Sequence, residues 1–256
     1  MTTAAENEIL TRVGPGTPMG ELMRRFWLPA IASKELKSDG DPLRFKLLGE
    51  ELIAFRDTSG RVGVMDHRCP HRCASLFFGR NEEGGIRCVY HGWKFDADGN
   101  CTDMANVPPH QDFKHKVHAK AYKTHERNGL IWVYMGDQSK VPELPPIEVT
   151  LAPESEVVVE FLHRDCNWLQ GLEGGFDAPH LTFLHGGDVE HSQHAPDEPR
   201  SRVHPIRPGR HLAVDEDDGR PTPTRTGDEV RPELRLGDNH ERRIEVSERA
   251  AYHERK

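Results

Sequence analysis

Two short boxes decide how this chain is read: Arg68-Cys69-Pro70-His71-Arg72 and, separated from His71 by sixteen residues, Cys88-Val89-Tyr90-His91-Gly92-Trp93-Lys94. Each offers one thiol and one imidazole within a few positions, the donor types that hold soft and borderline metals. Pro70 stiffens the first box, and Gly92 gives the second the freedom a loop needs to bring backbone N–H groups close to a bound group. After the second box, Trp93-Lys-Phe95 alternates and runs into Asp96-Ala-Asp-Gly99, a turn signal with another extended segment behind it. Both boxes therefore belong at the tips of a small β unit.

Two metal chemistries fit these donors. A structural zinc site takes Cys and His, but its ligands usually come as Cys with Cys and His with His, two to five residues apart. Here each box is mixed, and the first has a single intervening residue. A Rieske-type [2Fe-2S] cluster takes two Cys on one iron and two His on the other, which raises its potential above that of all-Cys clusters. The mixed boxes favour the cluster, with Cys69, His71, Cys88 and His91 as its ligands; zinc stays open on spacing alone.

Length and composition narrow the setting. The chain has 256 residues, a formal net charge of -8 and five Cys, which suits one or two globular domains rather than a disulfide scaffold. Neither box carries the additional Cys that would bracket a cluster with a disulfide, which favours the lower-potential type. The mild, dispersed acidity argues against nucleic acid as a partner. No apolar block reaches the roughly 18 residues of a membrane span, and the N-terminus lacks the basic start and apolar core of a signal peptide. A cytoplasmic protein is expected.

Residues 1–27 form a lead-in where Thr17-Pro-Met-Gly-Glu21 caps a short helix, with Leu22, Met23, Phe26 and Trp27 on its apolar face. Short strands follow: Leu43–Leu48, Leu52–Phe55, the turn Asp57-Thr-Ser-Gly60, Val62–Met65 and Leu130–Tyr134. Pro142, Pro145 and Pro146 interrupt this pattern and read as a linker into a second unit. There Val157–Leu162 looks like a strand, and Cys166 to about His185 is helix-like but broken at Gly171, Gly174, Gly175 and Pro179.

That broken segment holds a second constellation, Asp177-Ala-Pro-His180-Leu-Thr-Phe-Leu-His185. On an ideal helix, positions five apart diverge by about 140°, so both imidazoles reach one metal only where the helix is distorted. A cluster that moves single electrons needs a partner or a catalytic centre, and two His with a carboxylate make the facial triad of non-haem Fe(II) oxygenases. The blander reading of Asp177 is a helix N-cap.

Arg25-Phe-Trp-Leu-Pro29, Cys69-Pro-His-Arg72, Ala74-Ser-Leu76, Cys88-Val-Tyr-His-Gly-Trp-Lys-Phe95 and the segment Cys166–His185 together resemble the Rieske non-haem iron ring-hydroxylating oxygenases, in particular large subunits of the phthalate-dioxygenase-like group. Cys73 departs from the group, which has Gly there. The resemblance implies that His180 and His185 bind a mononuclear Fe(II), and that Asp177 bridges His180 to His91 of a neighbouring subunit in a homotrimer. It implies electrons arriving from a flavin and iron-sulfur reductase that uses NAD(P)H. With O₂, a small aromatic-type substrate is hydroxylated or oxidatively demethylated. The expected fold class is α+β. A helical lead-in (1–27) precedes a small antiparallel β Rieske domain (28–137), an incomplete α/β catalytic domain (138–190) and a disordered tail (191–256).

The third iron ligand of that group, a downstream Asp or Glu, is not identifiable. The 71 residues after His185 contain 13 Lys plus Arg, 16 Asp plus Glu, seven Pro and a single aromatic, Tyr252. Such a stretch buries little core. Of its basic residues only Lys256 is not Arg, a bias that an out-of-frame reading of GC-rich DNA or a genuine disordered tail would each produce. The run Asp215-Glu-Asp-Asp218 reads as a solvated segment. A Rieske electron carrier with a vestigial second domain is therefore the alternative function.

Overall fold

Leu52-Ile-Ala-Phe55 is an unbroken apolar run, and all four residues are buried because the strand they form is covered on both faces. Leu52 and Ala54 enter one core with Phe45, Leu47, Val64, Ile131 and Val133. Ile53 and Phe55 enter another with Met65, Ile86, Trp93, Phe95 and Met104. This period-2 division is what positions the site, because the second core also contains Cys69 and Cys88.

The computed structural model describes residues 2–177 and the strand Arg242–Glu248. The strands are β1 (Trp27–Ala32), β2 (Leu43–Leu47), β3 (Glu50–Arg56), β4 (Val62–Asp66), β5 (Arg80–Glu82), β6 (Gly85–Arg87), β7 (Trp93–Phe95), β8 (Cys101–Met104), β9 (Ala121–Arg127), β10 (Leu130–Tyr134), β11 (Val157–His163) and β12 (Arg242–Glu248). An antiparallel six-stranded sheet has the order β1-β10-β9-β4-β3-β2, and a four-stranded meander runs β5-β6-β7-β8. The turns between strands use expected chemistry. Asp57 Oδ1 accepts from the Ser59 and Arg61 N–H groups, and Asp96 Oδ1 from those of Asp98 and Asn100, while Gly60 and Gly99 take positive φ.

The lead-in differs from its reading in two ways. A helix at Ala4–Thr11 starts from a capping box in which Thr3 and Glu6 satisfy each other's N–H groups. The helix capped by Thr17 spans Pro18–Met23, and Trp27 opens β1 instead of completing a helical face. A 3.6-residue spacing of apolar positions could not reveal this, since Trp27-Leu-Pro-Ala-Ile-Ala pairs with the apolar β10 across the sheet. Pro29 is tolerated because β1 is an edge strand with a register shift just beyond it.

The proline-rich segment packs on this sheet. Leu144 is buried with Leu130 and Trp132, and Arg127 Nη1 donates to the Pro145 carbonyl at 2.9 Å. Two compact units divide the chain, Met1–Trp168 with Glu241–Lys256, and Leu169–His240. Of the second, only Leu169–Asp177 is described. The helix at Trp168–Phe176 runs through Gly171, Gly174 and Gly175, which were expected to break it. Each Gly costs a helix about 1 kcal/mol against Ala, a penalty that weakens a helix without ending it. In the stretch read as a tail, Arg242–Glu248 is a strand paired in parallel with β11. Ile244 and Val246 give that segment the alternation which the surrounding charge obscures.

Candidate metal centre

The two boxes are tips of different sheets. The first leaves β4 and returns through Leu76, whose N–H donates to the His67 carbonyl at 2.6 Å. The second connects β6 to β7. Both loops nevertheless close identically. The Cys69 N–H donates to the Ala74 carbonyl at 2.9 Å, and the Cys73 N–H donates back to the Cys69 carbonyl at 2.8 Å. The Cys88 N–H donates to the Trp93 carbonyl at 2.8 Å, and the Gly92 N–H returns to the Cys88 carbonyl at 3.0 Å. In each loop the residue four beyond the cysteine has positive φ, 56° at Cys73 and 75° at Gly92.

This frame sorts the four donors. Cys69 and Cys88 are each 2% exposed, and their thiols hydrogen-bond to one another. Burial pushes the Cys69 thiol up to about 11, against two backbone N–H groups, from His71 and Arg72, that donate to its sulfur and favour the thiolate. The imidazoles of His71 and His91 lie half-buried with ring centroids 4.5 Å apart. Burial, then His91 and Arg72, lower the pKa of His71, so its neutral, ligating form is preferred.

The donors thus stand as a thiol pair and an imidazole pair. Among the described residues, no three His, Cys, Asp or Glu side chains gather about one point, as a single metal ion would ask. Paired donors suit a two-iron group instead, since each iron needs only two protein ligands. One atom supports the fit directly: His71 Nδ1 is buried and has no hydrogen-bond partner. A buried nitrogen in that state is costly unless something binds it. Coordination would likewise turn the buried thiols into thiolates, stabilised at Cys69 by the two N–H groups already aimed at its sulfur.

A second layer of residues around the boxes was not anticipated. The Trp93 ring stacks on His71 at 4.3 Å with 6° between planes, and its Nε1–H donates to Asn106 Oδ1 at 2.8 Å. Phe113 meets Trp93 edge-on at 5.8 Å. Arg87 Nη1 donates to the Gly92 carbonyl at 2.7 Å and to Asp103 at 2.6 Å, while its Nε donates to Glu82 at 2.6 Å. Only the alternation of Trp93-Lys-Phe95 pointed to any of this in sequence, and it gave a strand without its contacts.

The second constellation is described at one residue. Asp177 is exposed and directly follows the helix Trp168–Phe176. His180 and His185 lie outside the described residues, as do Asp215–Asp218. No helix of the described residues is long and apolar enough to cross a membrane.

Residues 26–122 match the family described as the Rieske [2Fe-2S] domain, a span that contains both boxes and the turn bearing Asn106. The chain is 54% identical over 207 residues to the 3-chlorobenzoate-3,4-dioxygenase oxygenase subunit of Comamonas testosteroni, covering 81% of this chain and 46% of that one. It is 48% identical over 191 residues to the phthalate 4,5-dioxygenase oxygenase subunit of Pseudomonas putida, covering 73% and 43%. Among solved structures, dicamba monooxygenase bound to 3,6-dichlorosalicylic acid superposes with a TM-score of 0.53 at 26% identity, over 64% of this chain and 47% of that one. The chain spans about half the length of the curated relatives it matches, 46% and 43%.

Proposed function

Since this chain belongs to the Rieske oxygenase large-subunit family, we propose that it is an oxygenase component that oxidises a small aromatic-type substrate with O₂, by hydroxylation or oxidative demethylation. In this reading Cys69 and Cys88 hold one iron of the [2Fe-2S] group and His71 and His91 the other. His180 and His185 bind a mononuclear Fe(II), and Asp177 links His180 to His91 of a neighbouring subunit in a homotrimer. The [2Fe-2S] group supplies one-electron storage at a potential raised by its imidazoles, and the mononuclear iron supplies positions open to oxygen and substrate.

The protein's own contribution is placement and exclusion of water. The thiols are buried and the imidazoles half-buried, and the N–H groups of His71 and Arg72 donate to the sulfur of Cys69. Asp177 is suited to bridge two imidazoles, since a carboxylate fixes their orientation and raises their basicity. The relatives' names, a chlorobenzoate and a phthalate dioxygenase, support an aromatic carboxylic acid as the substrate class. The donor of electrons in this reading is a flavin and iron-sulfur reductase using NAD(P)H. The cytoplasm suits five cysteines that are all unpaired.

The observation that carries this reading is the pairing of buried thiols and half-buried imidazoles, with His71 Nδ1 left without a protein partner. Iron counting, visible absorption and EPR on the reconstituted chain test it. The expected result is a coloured protein with a [2Fe-2S] signal that Cys88→Ser abolishes, plus a mononuclear ferrous centre that His180→Ala removes. A colourless zinc protein would refute the cluster. A cluster without further iron would leave an electron carrier and refute the oxygenase.

A further inference from the structure

We propose that Trp93, held in place by Asn106, is a positioning residue that sets the plane of the His71 imidazole. The proposal rests on the reading of His71 as a cluster ligand. A ligand imidazole usually has its ring orientation fixed by a hydrogen bond from its second nitrogen to a carboxylate, a carbonyl or water. The buried, unpartnered Nδ1 of His71 is the nitrogen left for iron, so the second nitrogen is Nε2, and among the described residues no protein group hydrogen-bonds to it. What lies on the ring instead is the indole of Trp93, parallel to within 6° at 4.3 Å. That indole is 6% exposed, so it also keeps water from one face of the imidazole.

A stack orients a ring only if the stacking partner is itself immobile, and three contacts make Trp93 so. Its backbone is in register with Met104 across β7 and β8. Its Nε1–H is bound by Asn106 Oδ1 at 2.8 Å, and Phe113 packs edge-on at 80°. The turn that brings Asn106 over the box is closed by the Val107 N–H donating to the Met104 carbonyl at 2.9 Å. The same turn places Ala105 against Gly92, where an added Cβ would lie 2.8 Å from the Ala105 methyl. The turn therefore clamps the second box while its Asn106, through Trp93, reaches the imidazole of the first.

The test uses the full chain with its cluster reconstituted, comparing wild type with Asn106→Leu, Trp93→Leu and Trp93→Phe. Pulsed EPR of the reduced cluster reads the ¹⁴N coupling of each imidazole separately, and a chelator reads the rate of iron release. We expect Asn106→Leu and Trp93→Leu to move one of the two couplings while leaving the other, and to speed iron release roughly two- to tenfold, the span of one aromatic stacking contact. Trp93→Phe, which keeps a ring but cannot bond to Asn106, should fall between. Couplings that stay fixed, or that move together, would overturn the proposal, since a purely structural role predicts uniform loosening. If Trp93→Leu takes up no cluster, the surface variant Asn106→Leu decides the matter by the same readout. Wild-type protein without any [2Fe-2S] signal would instead overturn the cluster reading and this proposal with it.

Discussion

The loops Cys69–Ala74 and Cys88–Trp93 put their imidazoles at different places, two residues after the cysteine in one and three in the other, yet they share one backbone frame. In both, the cysteine N–H donates five residues ahead, and the residue four ahead donates back to the cysteine carbonyl. The three residues between, Pro70-His71-Arg72 and Val89-Tyr90-His91, form the turn. The frame is thus independent of where the ligand sits within it. What differs is the residue at the left-handed position, Cys73 in the first loop and Gly92 in the second. Only glycine takes that conformation without a steric penalty, which for other residues is about 1–2 kcal/mol.

The largest expected effect tests whether the second loop could tolerate what the first does. Gly92→Ala adds both the left-handed penalty and a Cβ only 2.8 Å from the Ala105 methyl. A loss of about 2–3 kcal/mol in denaturant unfolding of the metal-free protein is expected. Ala105→Gly in the same chain should recover the contact part, leaving about 1 kcal/mol, as a double-mutant cycle would show. If the cycle shows no coupling, the turn over Gly92 is not clamping the box. Next in size is Arg87→Met. It leaves the Gly92 carbonyl without the guanidinium that binds it at 2.7 Å, and about 2 kcal/mol should be lost. The reverse sign is expected at Cys73→Gly. Relief of strain, offset by the entropy glycine adds to the unfolded chain, should raise stability by about 0.5–1 kcal/mol. A destabilised Cys73→Gly protein would mean that the thiol makes contacts outweighing its strained backbone.

These residues also show which parts of the molecule could be read in advance. The boxes were legible because ligand type and spacing are local, and β3, β4, β7 and β10 because period-2 apolar runs are local too. Cys73 was visible as a departure from glycine, but its cause is a backbone angle that no residue list contains. The clamp was not legible. Trp93 and Asn106 meet where β7 and β8 pair with Trp93 opposite Met104, a two-strand property. Trp27 was misplaced for a related reason, since its side chain fits a helical face and only its pairing with Tyr134 makes it a strand residue. The second constellation was readable as a ligand pattern, and His180 and His185 lie outside the described residues.

The smallest expected effect concerns charge. Every hydrogen bond described as closing the first loop is between backbone groups, whereas the second leans on Arg87, whose Nε is bound by Glu82. Arg80, and after it Arg87, hold the Glu82 carboxyl below its ordinary 4.5. A depressed carboxyl contributes stability that is present above its unfolded value and is lost as the pH falls through the folded one. Acid should therefore weaken the support of the second loop below about pH 4.5 while leaving the closure of the first alone. The carboxylate is partly exposed, so the change is small, and Glu82→Gln isolates it by keeping one acceptor oxygen while removing the charge. Measured by denaturant unfolding, the metal-free wild type should exceed Glu82→Gln at about pH 6, and the gap should close as the pH falls below the ordinary carboxyl value of 4.5. No gap at about pH 6 would mean that Arg87 holds the second loop without help from the Glu82 charge, and that the two loops are alike in resting on neutral hydrogen bonds.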